Sequence, residues 1–532
     1  MRLEVSLSYH TQLIFSMLRK IRIVLAGISL LLITLLFLDF TGTAHAYLGW
    51  MAKVQLVPAV LSGSLLILAV LVVLTLLMGR VYCSVICPLG ILQDLVAWVG
   101  KKAKKNRYTF APNRWKTRLG IMVAFIIALL VSLPGVQFVA SLLEPYSAFG
   151  RIATNLLAPV WQWGNNALAY FAERSESYAF YETEVWMRSA LSLGIAVATL
   201  IIIALFAWKG GRTYCNTICP VGSLLGLLSK VNQKHMLRPV IDTSKCNGCR
   251  LCEKNCKGAC INSKKHEIDY SRCVMCMDCI SKCKRGAISY AMKEPEASCK
   301  AAAAPTKEVL ASESRRAFLT GAVIATAATA VQAQKKKVDG GLAVIEDKVA
   351  PQRETPILPP GAMNVRHFTK ACTACQLCVS ACPNQVLRPS TALERLMQPE
   401  VSYERGYCRP ECTSCSNVCP TGALTALTRE EKSSRQIGRA VWIKKNCLPL
   451  TEGVSCGNCA RHCPTGAIQM IPSVEGDDKS PKIPAINTER CIGCGACENL
   501  CPSRPFSAIV VEGLDAEVKK IFITFMRHLV QL

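Results

Sequence analysis

The stretch Cys246-Asn-Gly-Cys249-Arg-Leu-Cys252-Glu-Lys-Asn-Cys256 decides the fold of the segment around it, and its spacing recurs as Cys273-Val-Met-Cys276-Met-Asp-Cys279-Ile-Ser-Lys-Cys283. Three cysteines at this spacing wrap a short loop around three irons of a [4Fe–4S] cubane, and the fourth iron takes a thiolate from the other run. The predicted ligand sets are Cys246, Cys249, Cys252 and Cys283 for one cluster, and Cys273, Cys276, Cys279 and Cys256 for the other. Zinc also binds four thiolates, but a duplicated triple run is much more typical of iron–sulfur.

These two runs depart from the usual pattern after their fourth cysteine. A proline normally follows it, whereas this chain has Lys257 and Lys284. Cys260 also lies close enough in sequence to compete with Cys256 as a ligand, so both remain candidates.

Four further runs lie in the C-terminal part of the chain. They are Cys372, Cys375, Cys378, Cys382; Cys408, Cys412, Cys415, Cys419; Cys447, Cys456, Cys459, Cys463; and Cys491, Cys494, Cys497, Cys501. Each last cysteine precedes a proline, and the sixteen cysteines divide into four cubanes with none left over. The chain is therefore expected to bind six [4Fe–4S] clusters.

Composition agrees with metal rather than disulfides. The chain has 532 residues, 30 of them cysteine, with 51% apolar and 18% charged residues, which excludes a single small domain, a disordered chain and a collagen-like chain. Disulfide frameworks are typical of short secreted scaffolds. The formal net charge of +26 would be offset by about 12 units if six clusters of roughly −2 each are bound. Nucleic acid is therefore not expected as a partner.

Four apolar stretches are predicted to cross a membrane, because each approaches the roughly 20 residues that a bilayer requires: residues 22–40, 57–78, 119–143 and 189–208. Soluble core helices are the alternative. The loop after the second stretch carries nine basic residues and the single acid Asp94, whereas the loop after the third is acidic. Since positive loops stay in the cytoplasm, both ends of this unit should face it. No histidine lies within a span, which excludes a b-type cytochrome.

An internal repeat accompanies these spans. Residues 79–90 (GRVYCSVICPLG) recur as residues 211–222 (GRTYCNTICPVG), with eight of twelve positions identical. The repeat contains the C-x3-C-P cysteines Cys83, Cys87, Cys215 and Cys219. They either pack as small residues at helix ends, form two redox-active dithiols, or converge as one four-thiolate metal site. Cys260 and Cys299 are interpreted as bystanders.

The predicted organisation is multidomain, a four-helix transmembrane unit combined with α+β ferredoxin-like domains. It comprises a membrane domain (1–230), a two-cluster ferredoxin domain (231–300), a linker (301–350), a four-cluster ferredoxin domain (351–513) and a C-terminal helix (514–532). The linker contains Ser314-Arg315-Arg316-Ala317-Phe318-Leu319-Thr320 before a weakly apolar run. This matches a twin-arginine export signal, with a chance arginine pair as the alternative, and cleavage after Ala333 stays open.

The chain resembles two known families. Residues 22–291 resemble the NapH/MauN membrane ferredoxin-type proteins through the spans, both G-R-x-Y-C-x-x-I-C-P segments, the two-cluster domain and the stretch from Glu144 to Gly150. Residues 314–513 are similar to the NapG/MauM exported ferredoxins through the twin-arginine segment and the last cysteine run. The chain thus reads as a fusion of two partner families.

The resemblance implies a quinol dehydrogenase module in the bacterial inner membrane, with the first ferredoxin domain cytoplasmic and the second periplasmic. Electrons would pass from the quinol pool to a periplasmic cytochrome or reductase, such as a nitrate reductase system, in a membrane complex. It also implies that the first C-terminal run pairs with the fourth and the second with the third. Glu144 and Tyr146 either accept quinol protons or anchor a turn. Alternative functions are a conduit from a cytoplasmic donor and an assembly factor that maintains a partner's metal centre.

Overall fold

The computed structural model describes residues 2–104, 108–130, 137–177, 179–292, 346–477 and 479–519. The twin-arginine segment, Cys299 and most of the linker lie outside these residues. A helical unit comes first, with helices α1 (Arg2–Leu38), α2 (Thr43–Leu48), α3 (Trp50–Lys53), α4 (Leu56–Leu61), α5 (Leu65–Met78), α6 (Tyr82–Val85), α7 (Pro88–Lys104), α8 (Trp115–Leu130), α9 (Gln137–Leu143), α10 (Pro145–Ile152), α11 (Ala158–Arg174), α12 (Ala190–Gly210), α13 (Thr213–Thr217) and α14 (Pro220–Val231). A π-helical turn, Ala153–Leu157, joins α10 to α11.

Two of the four predicted spans are single helices of sufficient length. Among the described residues, Met17–Leu38 within α1 and Ala190–Gly210 (α12) are long and apolar enough to cross a membrane. The second predicted span is interrupted, because α4 ends at Leu61 and α5 begins at Leu65. With 14 residues, α5 is only about 21 Å long. Within the third predicted span, the structure describes α8 up to Leu130 and α9 from Gln137, and residues 131–136 lie outside the described residues.

The two sequence repeats interlock. In each, the first cysteine lies on a short helix, α6 or α13, and the proline after the second cysteine begins α7 or α14. Arg80 donates from Nη2 to the carbonyl oxygen of Cys215 at 3.2 Å, and Arg212 donates from Nη1 to that of Cys83 at 2.6 Å. Each arginine therefore ties its own repeat to the first cysteine of the other.

A small cysteine domain (residues 232–292) follows the helical unit. Strand β1 (Arg238–Ile241) pairs antiparallel with β4 (Ile288–Ala291), and β2 (Ile261–Asn262) pairs with β3 (Glu267–Ile268). Helices α15 (Leu251–Asn255) and α16 (Asp278–Lys282) each contain the third cysteine of a run and end directly before the fourth. This arrangement agrees with the predicted two-run α+β domain.

A large cysteine domain (residues 346–519) has three two-stranded antiparallel sheets and short helices. Its strands are β5 (Leu387–Pro389), β6 (Pro399–Val401), β7 (Arg435–Trp442), β8 (Ile468–Pro472), β9 (Lys482–Ile486) and β10 (Ile509–Lys519), paired as β5–β6, β7–β10 and β8–β9. Its helices are α17 (Val365–Ala371), α18 (Leu377–Ser380), α19 (Ser414–Val418), α20 (Arg429–Ser433), α21 (Leu448–Thr451), α22 (Asn458–Arg461) and α23 (Ala496–Asn499), with 3-10 turns at Leu393–Arg395 and Lys444–Asn446.

The predicted C-terminal helix (514–532) is wrong for the residues that the structure describes there. Residues up to Lys519 continue β10 against β7 across an irregularity between Gly513 and Val518. Glu517 holds this end, since its carboxylate accepts from the backbone N–H of Gly361 at 2.7 Å and pairs with Arg435 at 3.0 Å. Tertiary hydrogen bonds therefore override the local helical pattern.

The two cysteine domains pack on opposite ends of the helical unit. The small domain contacts the end where α8 begins, and Arg118 donates to the carbonyl oxygen of Ser271 at 3.1 Å. The large domain contacts the end where α12 begins, and Gln376 donates to the hydroxyl of Ser192 at 2.7 Å. Because the helical unit separates the two cysteine domains, electrons that pass from one domain to the other must cross the length of this unit.

The glycines at the repeat interface should tolerate no side chain. A Cβ atom on Gly90 or Gly222 would lie 2.7 Å from a guanidinium nitrogen of Arg212 or Arg80, respectively. We expect Gly90→Ala and Gly222→Ala each to destabilise the protein by about 1–3 kcal/mol through overpacking, measured as a lower unfolding temperature in detergent. Gly120→Ala is the matched control, since nothing lies within 4 Å of its Cβ position. Equal stability of all three variants would contradict the packing described here.

Candidate iron–sulfur sites

The small cysteine domain forms two cavities lined by cysteines. Cys246, Cys249, Cys252 and Cys283 line the first, and Cys256, Cys260, Cys273, Cys276 and Cys279 line the second. The Sγ atoms of Cys256 and Cys260 are 3.4 Å apart. Cys256 directly follows α15 just as Cys283 directly follows α16. This equivalence favours Cys256 as the ligand and leaves Cys260 as its neighbour.

The large cysteine domain groups its cysteines differently from the pairing that the resemblance implied. Cys382 lines a cavity with Cys408, Cys412 and Cys415, and Cys463 lines another with Cys491, Cys494 and Cys497. Cys419 lies near Cys372, Cys375 and Cys378, and Cys501 lies near Cys447, Cys456 and Cys459. The first run therefore pairs with the second, and the third with the fourth. The implied pairing of first with fourth and second with third is wrong.

The physical reason for this pairing is local. Helix α18 packs against α19, and α22 packs against α23, so that each pair of neighbouring runs folds as one two-run unit. Closing a short loop loses less chain entropy than closing a long one. The resemblance carried a pairing from other proteins, and spacing alone contained no signal to correct it.

Two buried cations lie beside these thiol sets, and their charge indicates whether the sets fit a cluster. Lys432 is only 2% exposed, and its ammonium group hydrogen-bonds the Cys408 thiol. Arg151 is fully buried near Cys375 and Glu144, and none of its three guanidinium nitrogens has a hydrogen-bond partner. A buried cation is costly unless an anion compensates it. A [4Fe–4S] core with four thiolates carries negative charge that neutral thiols lack, so these residues fit the cluster.

Lys257, at the position where proline is usual, links the small domain to the helical unit. Its Nζ atom lies 3.6 Å from Oδ1 of Asp94 in α7 and 3.2 Å from Oδ2 of Asp278. Burial by itself lowers the pKa of Lys257, but the two carboxylates outweigh it and raise that pKa above its ordinary value. For Asp278, burial raises the pKa of the carboxyl group. Lys257 and Arg19 outweigh this effect and lower that pKa overall, because they stabilise the carboxylate. Two features of the sequence indicated this contact: Lys257 stands where a proline is usual, and Asp94 is the single acid in a basic loop.

Glu144 and Tyr146 are fully enclosed rather than exposed to a substrate. The Glu144 carboxylate caps α10, accepting from the backbone N–H of Tyr146 at 3.0 Å and from that of Ser147. This contact favours the anchoring interpretation for Glu144. The Tyr146 hydroxyl is buried without a hydrogen-bond partner and lies near Cys375 and Cys419.

The four C-x3-C-P cysteines converge at the interface between the repeats. Cys83, Cys87, Cys215 and Cys219 are all buried, and each thiol lies within electrostatic range of the others. The Gln93 amide, in α7 just after the first repeat, donates to Sγ of Cys215 in the second repeat at 3.1 Å. We call this set the four-thiol site. Spacing alone left this convergence open.

The comparisons with known proteins agree with iron–sulfur binding. A family model described as a 4Fe-4S binding domain matches residues 62–107 and 190–239, and one described as a 4Fe-4S dicluster domain matches residues 371–439 and 454–504. Each dicluster match spans cysteines of two neighbouring runs, which agrees with the observed pairing. No solved structure matches the chain.

Three curated relatives are ferredoxin-type proteins. The chain is 32% identical over 176 residues to the ferredoxin-type protein NapG of Escherichia coli, covering 30% of this chain and 75% of NapG. It is 32% identical over 167 residues to the methylamine utilization ferredoxin-type protein MauM of Methylophilus methylotrophus, covering 30% and 72%. It is also 32% identical over 161 residues to the ferredoxin-type protein NapF of Escherichia coli, covering 30% and 87%.

The pairing of neighbouring runs predicts how cysteine substitutions combine. Cys382→Ala and Cys415→Ala should each remove one cluster of about four irons, and the double variant should lose no more, because both thiols serve the same cluster. Cys382→Ala combined with Cys497→Ala should lose about eight irons. Iron and sulfide quantitation on the purified full chain measures this. Additive losses in the first pair and a single loss in the second would contradict the pairing.

Arg151 should raise the reduction potential of the cluster held by Cys372, Cys375, Cys378 and Cys419. Replacing it by Gln removes a positive charge that favours the reduced, more negative cluster. The potential should fall by roughly 50–100 mV, or about 1–2 kcal/mol for one electron, in an EPR-monitored titration. Arg151→Lys should retain most of the effect, and the exposed Arg174→Gln is the control. An unchanged potential in Arg151→Gln would refute this role.

Proposed function

Because the chain belongs to the NapG/MauM family of ferredoxin-type proteins, we propose that it is a membrane quinol dehydrogenase module that passes electrons outward through its large cysteine domain. That it is an iron–sulfur electron-transfer protein of ferredoxin type follows from the family and its 4Fe-4S domains. When bound, the clusters supply one-electron carriers. Membrane insertion, quinol and the outward direction are the proposed parts.

The surface of the helical unit supports a membrane location. Large apolar side chains are exposed along its helices: Leu31, Leu65, Leu66, Val70, Ile127, Leu130, Ile202 and Leu205. A soluble monomer rarely exposes apolar surface this extensive. The basic loop between α7 and α8 lies at the end that holds the small domain. By the positive-inside rule, the small domain would face the cytoplasm and the large domain the periplasm of a bacterial inner membrane.

The observation that carries the proposal is the contact between the helical unit and one thiol set of the large domain. Gly150 in α10 lies directly against the carbonyl oxygen of Cys375, leaving no room for a side chain. Asn155 donates to the side-chain oxygen of Gln376, the residue after Cys375, at 2.8 Å. The cysteine loop is thus held by hydrogen bonds on the helical unit. Such rigid contact suits electron exchange better than a tethered, freely moving domain would.

Quinol as the reductant comes from the resemblance of residues 22–291 to the NapH/MauN proteins. Oxidation of one quinol releases two electrons and two protons, and two one-electron carriers would accept the electrons in turn. The partners we propose are the quinol pool and, outside, a cytochrome or reductase such as a nitrate reductase system, in a membrane complex.

A second candidate function is a conduit from a cytoplasmic donor. It is favoured by the small domain, whose Met275 packs against Gly79, the first residue of the first repeat. Met275 also lines the cavity that contains Cys273, Cys276 and Cys279. One thiol set of this domain therefore faces the helical unit. In this case electrons would enter through the small domain.

Quinol mixing distinguishes these functions. Oxidised full-length protein in detergent is mixed with a naphthoquinol, and the clusters are followed by EPR. We expect the clusters of the large domain to become reduced, and Cys276→Ala, which removes a cluster of the small domain, to leave their rate unchanged. Cys299→Ala, outside every run, is the control. Clusters that stay oxidised would refute quinol oxidation. Reduction of the large-domain clusters by an added soluble donor, such as a dithionite-reduced ferredoxin, would support the conduit if it is lost in Cys276→Ala.

A further inference from the structure

We propose that Cys83, Cys87, Cys215 and Cys219 together ligate one further [4Fe–4S] cluster, with half of its ligands from each repeat. The proposal deepens the electron-transfer function proposed above and rests on it for the role of the site, whereas the presence of the cluster is tested by iron content alone. Each family match at residues 62–107 and 190–239 contains only two of these thiols. A four-thiolate cluster therefore needs both matches together.

Buried charge requires an anion at this site. Arg80 is fully buried, and its Nη1 group donates to Asn216 Oδ1 at 2.7 Å and to the Ser271 carbonyl oxygen at 3.2 Å. Its Nη2 group lies 3.9 Å from Sγ of Cys83, and Arg80 forms no ion pair within the described parts of the chain. The Asn216 amide and the Ser271 carbonyl group are neutral, and the Cys83 thiol is negatively charged only after it has lost its proton. A thiolate-bound cluster, at roughly −2 in its oxidised form, supplies the missing negative charge.

Hydrogen-bond donors also point at the sulfur atoms. The backbone N–H of Gly222 donates to Sγ of Cys219 at 3.4 Å at the N-terminus of α14, and the N–H of Gly90 does the same for Cys87 at the start of α7. Helix N-termini carry partial positive charge and favour thiolates over thiols. Both helices begin at the proline of the C-x3-C-P motif, which explains why the motif places a cysteine directly before it. Burial raises the pKa of both thiols, so these donors stabilise thiolates once iron is bound.

Other occupants fit less well. All cysteines within the described ranges are free, and a pair of disulfides would be neutral and would leave the Arg80 charge uncompensated. No three His, Cys, Asp or Glu side chains among the described residues are grouped tightly enough to hold a single metal ion. The thiol sets of the two cysteine domains form no such group either, so the four-thiol site is like them in this respect.

The location of the four-thiol site gives it a role. The backbone N–H of Arg212 donates to the carbonyl oxygen of Lys257, next to Cys256, at 2.9 Å. Toward the other end, the Tyr214 phenol lies near both Cys219 and Arg151, and Arg151 in turn lies near Cys375. The site therefore stands between a thiol set of each cysteine domain. One electron from a reduced cluster on either side would convert the oxidised [4Fe–4S]2+ core to [4Fe–4S]+, with no bond formed or broken and no proton transferred.

The first test is iron stoichiometry with half-site variants. The wild-type chain should contain about 28 irons rather than about 24. Cys87→Ala and Cys219→Ala should each remove about four irons, and the double variant should remove no more, because both repeats serve one cluster. Cys299→Ala should lose none. Unchanged iron in the half-site variants, a loss of about two, or additive losses would each overturn the proposal.

A second measurement does not depend on the folding of a variant. The wild-type protein is unfolded without reductant, its iron is chelated, and its thiols are counted by alkylation and mass spectrometry. Ligation of iron by these residues leaves all 30 cysteines alkylated. Disulfides that join Cys83, Cys87, Cys215 or Cys219 would overturn the proposal. Neither measurement involves quinol, so failure of the quinol experiment with about 28 irons present would reject the proposed function and leave the cluster standing.

Discussion

Compensation of buried positive charge is the constraint on which this structure depends. Arg80, Arg151 and Lys432 are enclosed in protein. No acidic side chain among the described residues forms an ion pair with any of them, and the nearest charge to Arg151 is the longer-range attraction of Glu144. An uncompensated cation in such surroundings would destabilise the fold by several kcal/mol. Each of these residues instead lies beside cysteines, so the folded state and the negatively charged clusters depend on each other.

This dependence links stability to function. A positive charge beside a cluster stabilises its reduced form and thereby raises its potential. The same arginine that makes a site costly to fold without its cluster thus also sets how readily that cluster accepts an electron. We expect the potentials along the molecule to follow the distribution of these cations, since every site offers the same four thiolate ligands.

The arrangement of domains depends on a few residues that bind no cluster. Lys257 replaces a proline and pairs with Asp94 and Asp278, which fastens the small domain to the helical unit. Gly150 leaves space for the cysteine loop at the other end. Cysteines thus hold the clusters, whereas these other residues hold the domains together.

The sequence by itself determined the chemistry of the sites. Short cysteine spacings constrain the chain locally, so the thiol sets of the small domain could be derived from Cys246 to Cys283 without knowledge of the fold. Apolar length identified α1 and α12 in the same way. The broken α4–α5 segment was missed because a hydropathy pattern does not register a short interruption at residues 62–64.

Only the tertiary structure decided which elements meet. The pairing of Cys382 with the second run, the strand at residues 509–519 and the convergence of Cys83 with Cys215 all depend on contacts between distant residues. Such contacts are set by packing and by hydrogen bonds between distant parts of the chain. A local sequence pattern does not show which distant residues will meet. The residues specify what each site can bind, and the packing specifies which sites lie next to one another.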